Sequence, residues 1–125
     1  MYEIKVNAEF EAAHRVAGYP GKCDRLHGHS WKVEAIVRGK ELDALGMLVD
    51  FKVVKGALNE ILDTMDHQYL NELEAFQSVN PTAEHLAAYI YGKLKASSRD
   101  WADGKLHAIR VWESPRASVT YSEES

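Results

Sequence analysis

Residues 2–14 alternate in character. Tyr2, Ile4, Val6, Ala8, Phe10 and Ala12 hold the even positions, and Glu3, Lys5, Asn7, Glu9 and Glu11 the odd ones. A two-residue period is that of a strand with one buried face, and His14 falls on the buried parity. From residue 27 to 38 the odd positions His27, His29, Trp31, Val33, Ala35 and Val37 alternate with Ser30, Lys32, Glu34 and Arg38. That predicts a second strand whose two histidines share the core side. Gly18, Pro20 and Gly21 break up the segment between them, as expected of a loop. Paired as a hairpin, the two strands bring His14 beside the His27-Gly28-His29 triplet at the loop end.

A turn is expected around Asp43 to Gly46, followed by a short extended stretch, "MLVDF". Val54, Leu58, Ile61, Leu62 and Met65 then have the spacing of an amphipathic helix over residues 52–65. The segment "NPTAEHLAAYIYGKLK" predicts a second helix, capped by Asn80 or Thr82, with Pro81 in its N-terminal turn and Leu86, Ile90 and Leu94 as its apolar stripe. Two short strands, 105–113 and 117–121, close the chain, and "SEES" reads as a solvated tail. The order is ββααββ, an α+β arrangement with a four-stranded antiparallel sheet and both helices on one face. A length of 125 residues suits a single domain spanning 1–125.

Composition narrows the partners. Fifteen basic residues against nineteen acidic ones give a net charge of −4, which points to a small-molecule ligand and to neither nucleic acid nor a membrane surface. The lone cysteine cannot form an intramolecular disulfide, and the N-terminus lacks the pattern of a signal peptide, so a cytoplasmic location is expected.

His14, His27 and His29 offer three nitrogen ligands from one sheet face, the number a catalytic zinc uses while keeping a position open. Each alone could be a hydrogen-bonded core histidine. Three together at one hairpin end need something to satisfy their nitrogens, and a metal does so at once. Gly28 between two of them would permit close approach of another group. Cys23 lies in the loop leading to the triplet, where a nearby cation would favour its thiolate; as a fourth ligand it would instead close the site. Asp66 beside His67 could orient an imidazole. Glu113 shares parity with Ile109 and Val111, so a carboxylate points to the apolar face and needs N–H donors such as a guanine or pterin edge. Arg15, Lys22 and Arg25 surround the site and could meet phosphate or simply be solvated. His85 and His107 read as structural or surface residues.

Six ordered segments, "FEAAHR", "CDRLHGH", "GMLVDF", "LDHQYLN", "NPTAEHLA" and the late-strand Glu113, resemble the 6-pyruvoyltetrahydropterin and 6-carboxytetrahydropterin synthase family over nearly the whole chain. The resemblance implies the tunnelling fold, whose ββααββ subunits join their sheets into a barrel as homotrimers or hexamers, with active sites between subunits. It implies one zinc per subunit on His14, His27 and His29, with Cys23, Asp66 and His67 catalytic. Glu113 would anchor the pterin, and Thr82 and Glu84 would line its pocket. The four-residue offset of Cys23 from the triplet most resembles the bacterial queuosine-pathway 6-carboxytetrahydropterin synthases; the pyruvoyl branch is the alternative. A zinc-stabilised pterin- or purine-binding module is the non-enzymatic one. "GKCDRLHGHSWKVE" also approximates the first cupin motif, but Glu34 has the wrong parity to join His27 and His29, and the second cupin motif is missing.

Overall fold

The computed structural model describes residues 1–123 and, for Cys23, the main chain only. In chain order the elements are β1 (Tyr2–His14), β2 (His27–Gly39), α1 (Phe51–Asp63), β3 (Gln68–Tyr69), α2 (Ala83–Ser97), β4 (Lys105–Ser114) and β5 (Ala117–Ser122). β1 and β2 form the expected antiparallel hairpin, in register from Tyr2 opposite Gly39 to His14 opposite His27. Alternation buries Val6, Ala8, Phe10 and Ala12 of β1 with Trp31, Val33, Ala35 and Val37 of β2. Val54, Leu58 and Leu62 of α1 and Leu86, Ile90 and Leu94 of α2 complete the same core, so both helices cover one face of the sheet. Burying each such side chain contributes about 1.5–3 kcal/mol.

The sheet departs from a purely antiparallel four-stranded one. Its order is β3-β1-β2-β4-β5, with two-residue β3 running parallel to the end of β1 opposite Ala12 and Ala13. A bulge lies where β4 meets β2: Ile36 faces Ala108 and Val37 faces Leu106, leaving His107 as the extra residue. The buried parity of β4 therefore shifts from even at Leu106 to odd at Ile109 and Val111.

Boundaries follow local chemistry. α1 starts at Phe51, because the Asp50 carboxylate accepts from the Lys52 N–H at 2.8 Å, and it ends at Asp63; Met65 is fully buried in the turn beyond it. Thr82, not Asn80, caps α2 by accepting from the His85 N–H at 3.2 Å. The 43–46 turn is tied by the Asp43 carboxylate, which accepts from the Leu45 and Met47 N–H groups. Residues 47–50 are irregular, not extended, and lead directly into α1. At the C-terminus Ser122 belongs to β5, and Glu123 pairs with Lys95 and accepts from the Tyr121 hydroxyl. The rest of the expected tail, Glu124 and Ser125, lies outside the described residues. No helix among the described residues is long and apolar enough to cross a membrane.

Candidate active site

At the loop end of the hairpin the three imidazoles converge. His14 lies directly opposite His27 in register, with His29 opposite Ala12, and the ligand nitrogens of all three lie within 4.8 Å of one another. The wall behind them is Trp31, fully buried, whose ring meets His14 and His29 edge-on at 5.0 and 5.2 Å. Backbone carbonyls orient two of the rings: His14 Nδ1 lies 2.7 Å from the Pro81 oxygen and His27 Nδ1 2.7 Å from the Arg25 oxygen. A carbonyl only accepts, so each Nδ1 carries the proton and each Nε2 keeps a free lone pair.

The Nε2 atoms of His14 and His29 are buried with no hydrogen-bond partner. Such orphaned polar atoms cost about 1–3 kcal/mol each, and a cation shared among the rings removes that cost. Burial pushes the His14 and His29 imidazoles below the ordinary histidine range, which keeps them in the neutral form that ligation requires. The cluster is thus equipped to hold a metal ion, with carbonyls fixing His14 and His27 from behind.

Glu113 reaches the rim of this cluster, its Oε1 3.6 Å from His29 Nε2. It is not the buried carboxylate that parity suggested: about a third of its side chain is exposed, leaving it open to an incoming ligand. Asp66 and His67 form a second unit. His67 Nδ1–H donates to Asp66 Oδ2 at 2.9 Å, and Asp66 Oδ1 accepts from the Glu11 N–H at 2.9 Å. His67 adopts φ +58° and keeps 77% of its side chain exposed, an unusual left-handed conformation for a non-glycine residue. It lines a ≈ 500 Å³ cleft with Glu11, Ala12, Gly28, His29 and Ser30. One histidine of the cluster, His29, thus lines the same cleft, and the Asp66–His67 pair is tied to the outer edge of β1 through the Glu11 main chain.

A sequence model of 6-pyruvoyl tetrahydropterin synthase matches residues 3–124. The chain belongs to the 6-pyruvoyl tetrahydropterin synthase family. A 6-carboxy-5,6,7,8-tetrahydropterin synthase from Synechocystis sp. is 36% identical over 126 residues, covering 97% of this chain and 93% of the relative. One from Haemophilus influenzae is 31% identical over 145 residues, covering 98% of this chain and 100% of its own. The fold matches the solved 6-pyruvoyl tetrahydropterin synthase of Caenorhabditis elegans with a TM-score of 0.87 at 28% identity, covering 98% of this chain and 96% of that one.

Within this family fold, the segment "NPTAEH" works as a brace. Pro81 orients His14, and His85 Nδ1–H donates to the Asn80 carbonyl at 2.6 Å. Thr82 is half-buried as the helix cap, while Glu84 is exposed in the first turn of α2. A side chain at Gly28 would meet nothing within 4 Å, so no neighbour in this chain demands the glycine. Arg15 is not a free cation: it grips Asp24 with bonds of 2.9 and 2.6 Å, whereas Lys22 and Arg25 are exposed. The residues that sequence reasoning missed are Trp31 as the wall and Asn71, whose side chain binds the main chain of Arg15.

Proposed function

We propose that residues 1–125 form one tunnelling-fold unit acting as a zinc-dependent, cytoplasmic 6-carboxy-5,6,7,8-tetrahydropterin synthase. It converts 7,8-dihydroneopterin triphosphate to 6-carboxy-5,6,7,8-tetrahydropterin, releasing acetaldehyde and triphosphate, in queuosine and 7-deazapurine biosynthesis. The observation that carries this reading is the buried, unpartnered Nε2 pair of His14 and His29 within the three-imidazole cluster. Zinc bound there would act as a Lewis acid on the hydroxyls of the pterin side chain. Glu113, at the rim of the cluster, accepts N–H bonds from the pterin ring and so directs its side chain inward, with Thr82 and Glu84 lining the pocket. Cys23 as thiolate takes a proton, and His67, held by Asp66 in one tautomer, relays protons during rearrangement.

The Asp66–His67 pair serves the site of a neighbouring subunit in a homotrimer or hexamer, a role supported by its place at the outer edge of β1, bonded to the Glu11 main chain, with 77% of the His67 side chain exposed. Two open edges support that assembly. β5 pairs only with β4, and β1 has no strand on its outer edge from Tyr2 to Phe10 among the described residues, so edges of successive copies can continue the sheet into a barrel.

A second reading, 6-pyruvoyltetrahydropterin synthase, is favoured by the fold match to the Caenorhabditis elegans enzyme of that name; the two curated relatives favour the carboxy branch. Incubation with dihydroneopterin triphosphate, followed by mass analysis of the pterin and an acetaldehyde assay, separates them. The proposal requires carboxytetrahydropterin and stoichiometric acetaldehyde. A pyruvoyl product without acetaldehyde moves the chain to the other branch, and unchanged substrate leaves only a binding module.

A further inference from the structure

Resting on that assignment of Cys23, we propose that Arg15 and Asp24 are positioning residues whose ion pair sets the turn carrying Cys23 against the three imidazoles. Arg15 directly follows the ligand His14. Its Nε donates to the Asp24 main-chain oxygen at 2.9 Å and its Nη2 to the Asp24 carboxylate at 2.6 Å. Two bonds from one planar guanidinium to one residue fix orientation as well as distance. The base of Arg15 is held equally firmly. Its N–H donates to Asn71 Oδ1 at 2.9 Å, and its carbonyl accepts from Asn71 Nδ2 at 3.0 Å. Ala17 makes the same reciprocal pair with Asn80, both bonds 3.0 Å. Two asparagine side chains thus stand in for strand partners beyond the end of β1.

The turn itself, Lys22–Asp24, is closed by the Asp24 N–H donating to Gly21 O and the Arg25 N–H donating to Lys22 O. Its far side is tied to the second ligand, because the Arg25 carbonyl accepts from His27 Nδ1. The turn carrying Cys23 is therefore tied to two histidines of the cluster, to His14 through the adjacent Arg15 on one side and to His27 through the Arg25 carbonyl on the other. Apolar packing offers little alternative, since residues 18–22, 25 and 26 are exposed. The Arg15 and Asp24 side chains are 43% and 39% exposed, and ion pairs so open to solvent add little to folding. Breaking the pair leaves the protein folded and displaces the turn.

Cys23 is the only cysteine, so its alkylation by iodoacetamide reports on one position. The test compares zinc-loaded wild type, Arg15→Lys, Asp24→Asn and the double variant in alkylation rate, zinc content and steady-state turnover of dihydroneopterin triphosphate. Each single variant is expected to keep its zinc, to show the same changed alkylation rate as the other, and to lose about 10-fold to 100-fold in kcat with little change in KM. The double variant should be no worse than either single one. Additive effects would overturn the proposal. So would loss of zinc, alkylation at the wild-type rate, or a raised KM in Arg15→Lys with Asp24→Asn silent, which would make Arg15 a substrate contact. If wild type consumes no pterin, the functional reading fails on its own, while shared alkylation effects in the two variants still decide the positioning role.

Discussion

Asp66 joins strand, turn and imidazole in one carboxylate. One oxygen accepts from the Glu11 N–H and the other from His67 Nδ1, and these two donors, Glu11 the stronger, hold its carboxyl below the ordinary aspartate range. The stabilisation from this lowered value is present above the unfolded value of about 4 and is lost as pH falls through the folded one. Asp66→Asn should therefore lower the urea midpoint at neutral pH, with the difference from wild type shrinking as both are taken below about pH 4; a constant difference would separate Asp66 from this titration. The amide cannot hold the same His67 tautomer, so turnover should fall by about 100-fold or more with zinc retained. Near-normal turnover would remove His67 from proton transfer.

Among the elements, the far end of the hairpin is the least forgiving. A Cβ on Gly39 would lie 2.5 Å from Leu48 Cδ1 and 2.7 Å from the Asp103 carbonyl oxygen, and the Asp103 carboxylate holds the Lys40 and Glu41 N–H groups at 2.6 and 2.8 Å. Gly39→Ala is expected to cost about 1–3 kcal/mol by overpacking, measurable by urea denaturation, while zinc content at the opposite end of β2 stays unchanged. The long elements were legible from sequence because one face of each is buried: period two in β1 and β2 put His14, His27 and His29 together, and the Leu stripes marked both helices. β3 escaped because two residues carry no period. Glu113 shares the parity of Ile109 and Val111, but it is the extra residue of a second bulge between Trp112 and Ser114 against β5, and about a third of its side chain is exposed. Asn71 and Asn80 act on main chain 56 and 63 residues away, a partnership that no local pattern encodes.

At the scale of the whole molecule, the proposed function requires other copies to complete each site, since the Asp66–His67 pair sits exposed at the outer edge of β1. Neither His67→Ala nor His29→Ala alone should turn over substrate, yet hybrid oligomers formed by mixing and reassembling the two should regain activity, since some sites then receive both intact halves. Failure at every mixing ratio would confine the site to one subunit. The proposed metal centre is an open one, zinc on three imidazoles with Cys23 free for chemistry. X-ray absorption at the zinc edge of protein purified without chelator tests it most directly. The account predicts stoichiometric zinc with only nitrogen and oxygen neighbours at about 2.0–2.1 Å. A sulfur neighbour at about 2.3 Å would make Cys23 a ligand and the site a closed structural one, and absence of stoichiometric zinc would contradict the metal centre itself.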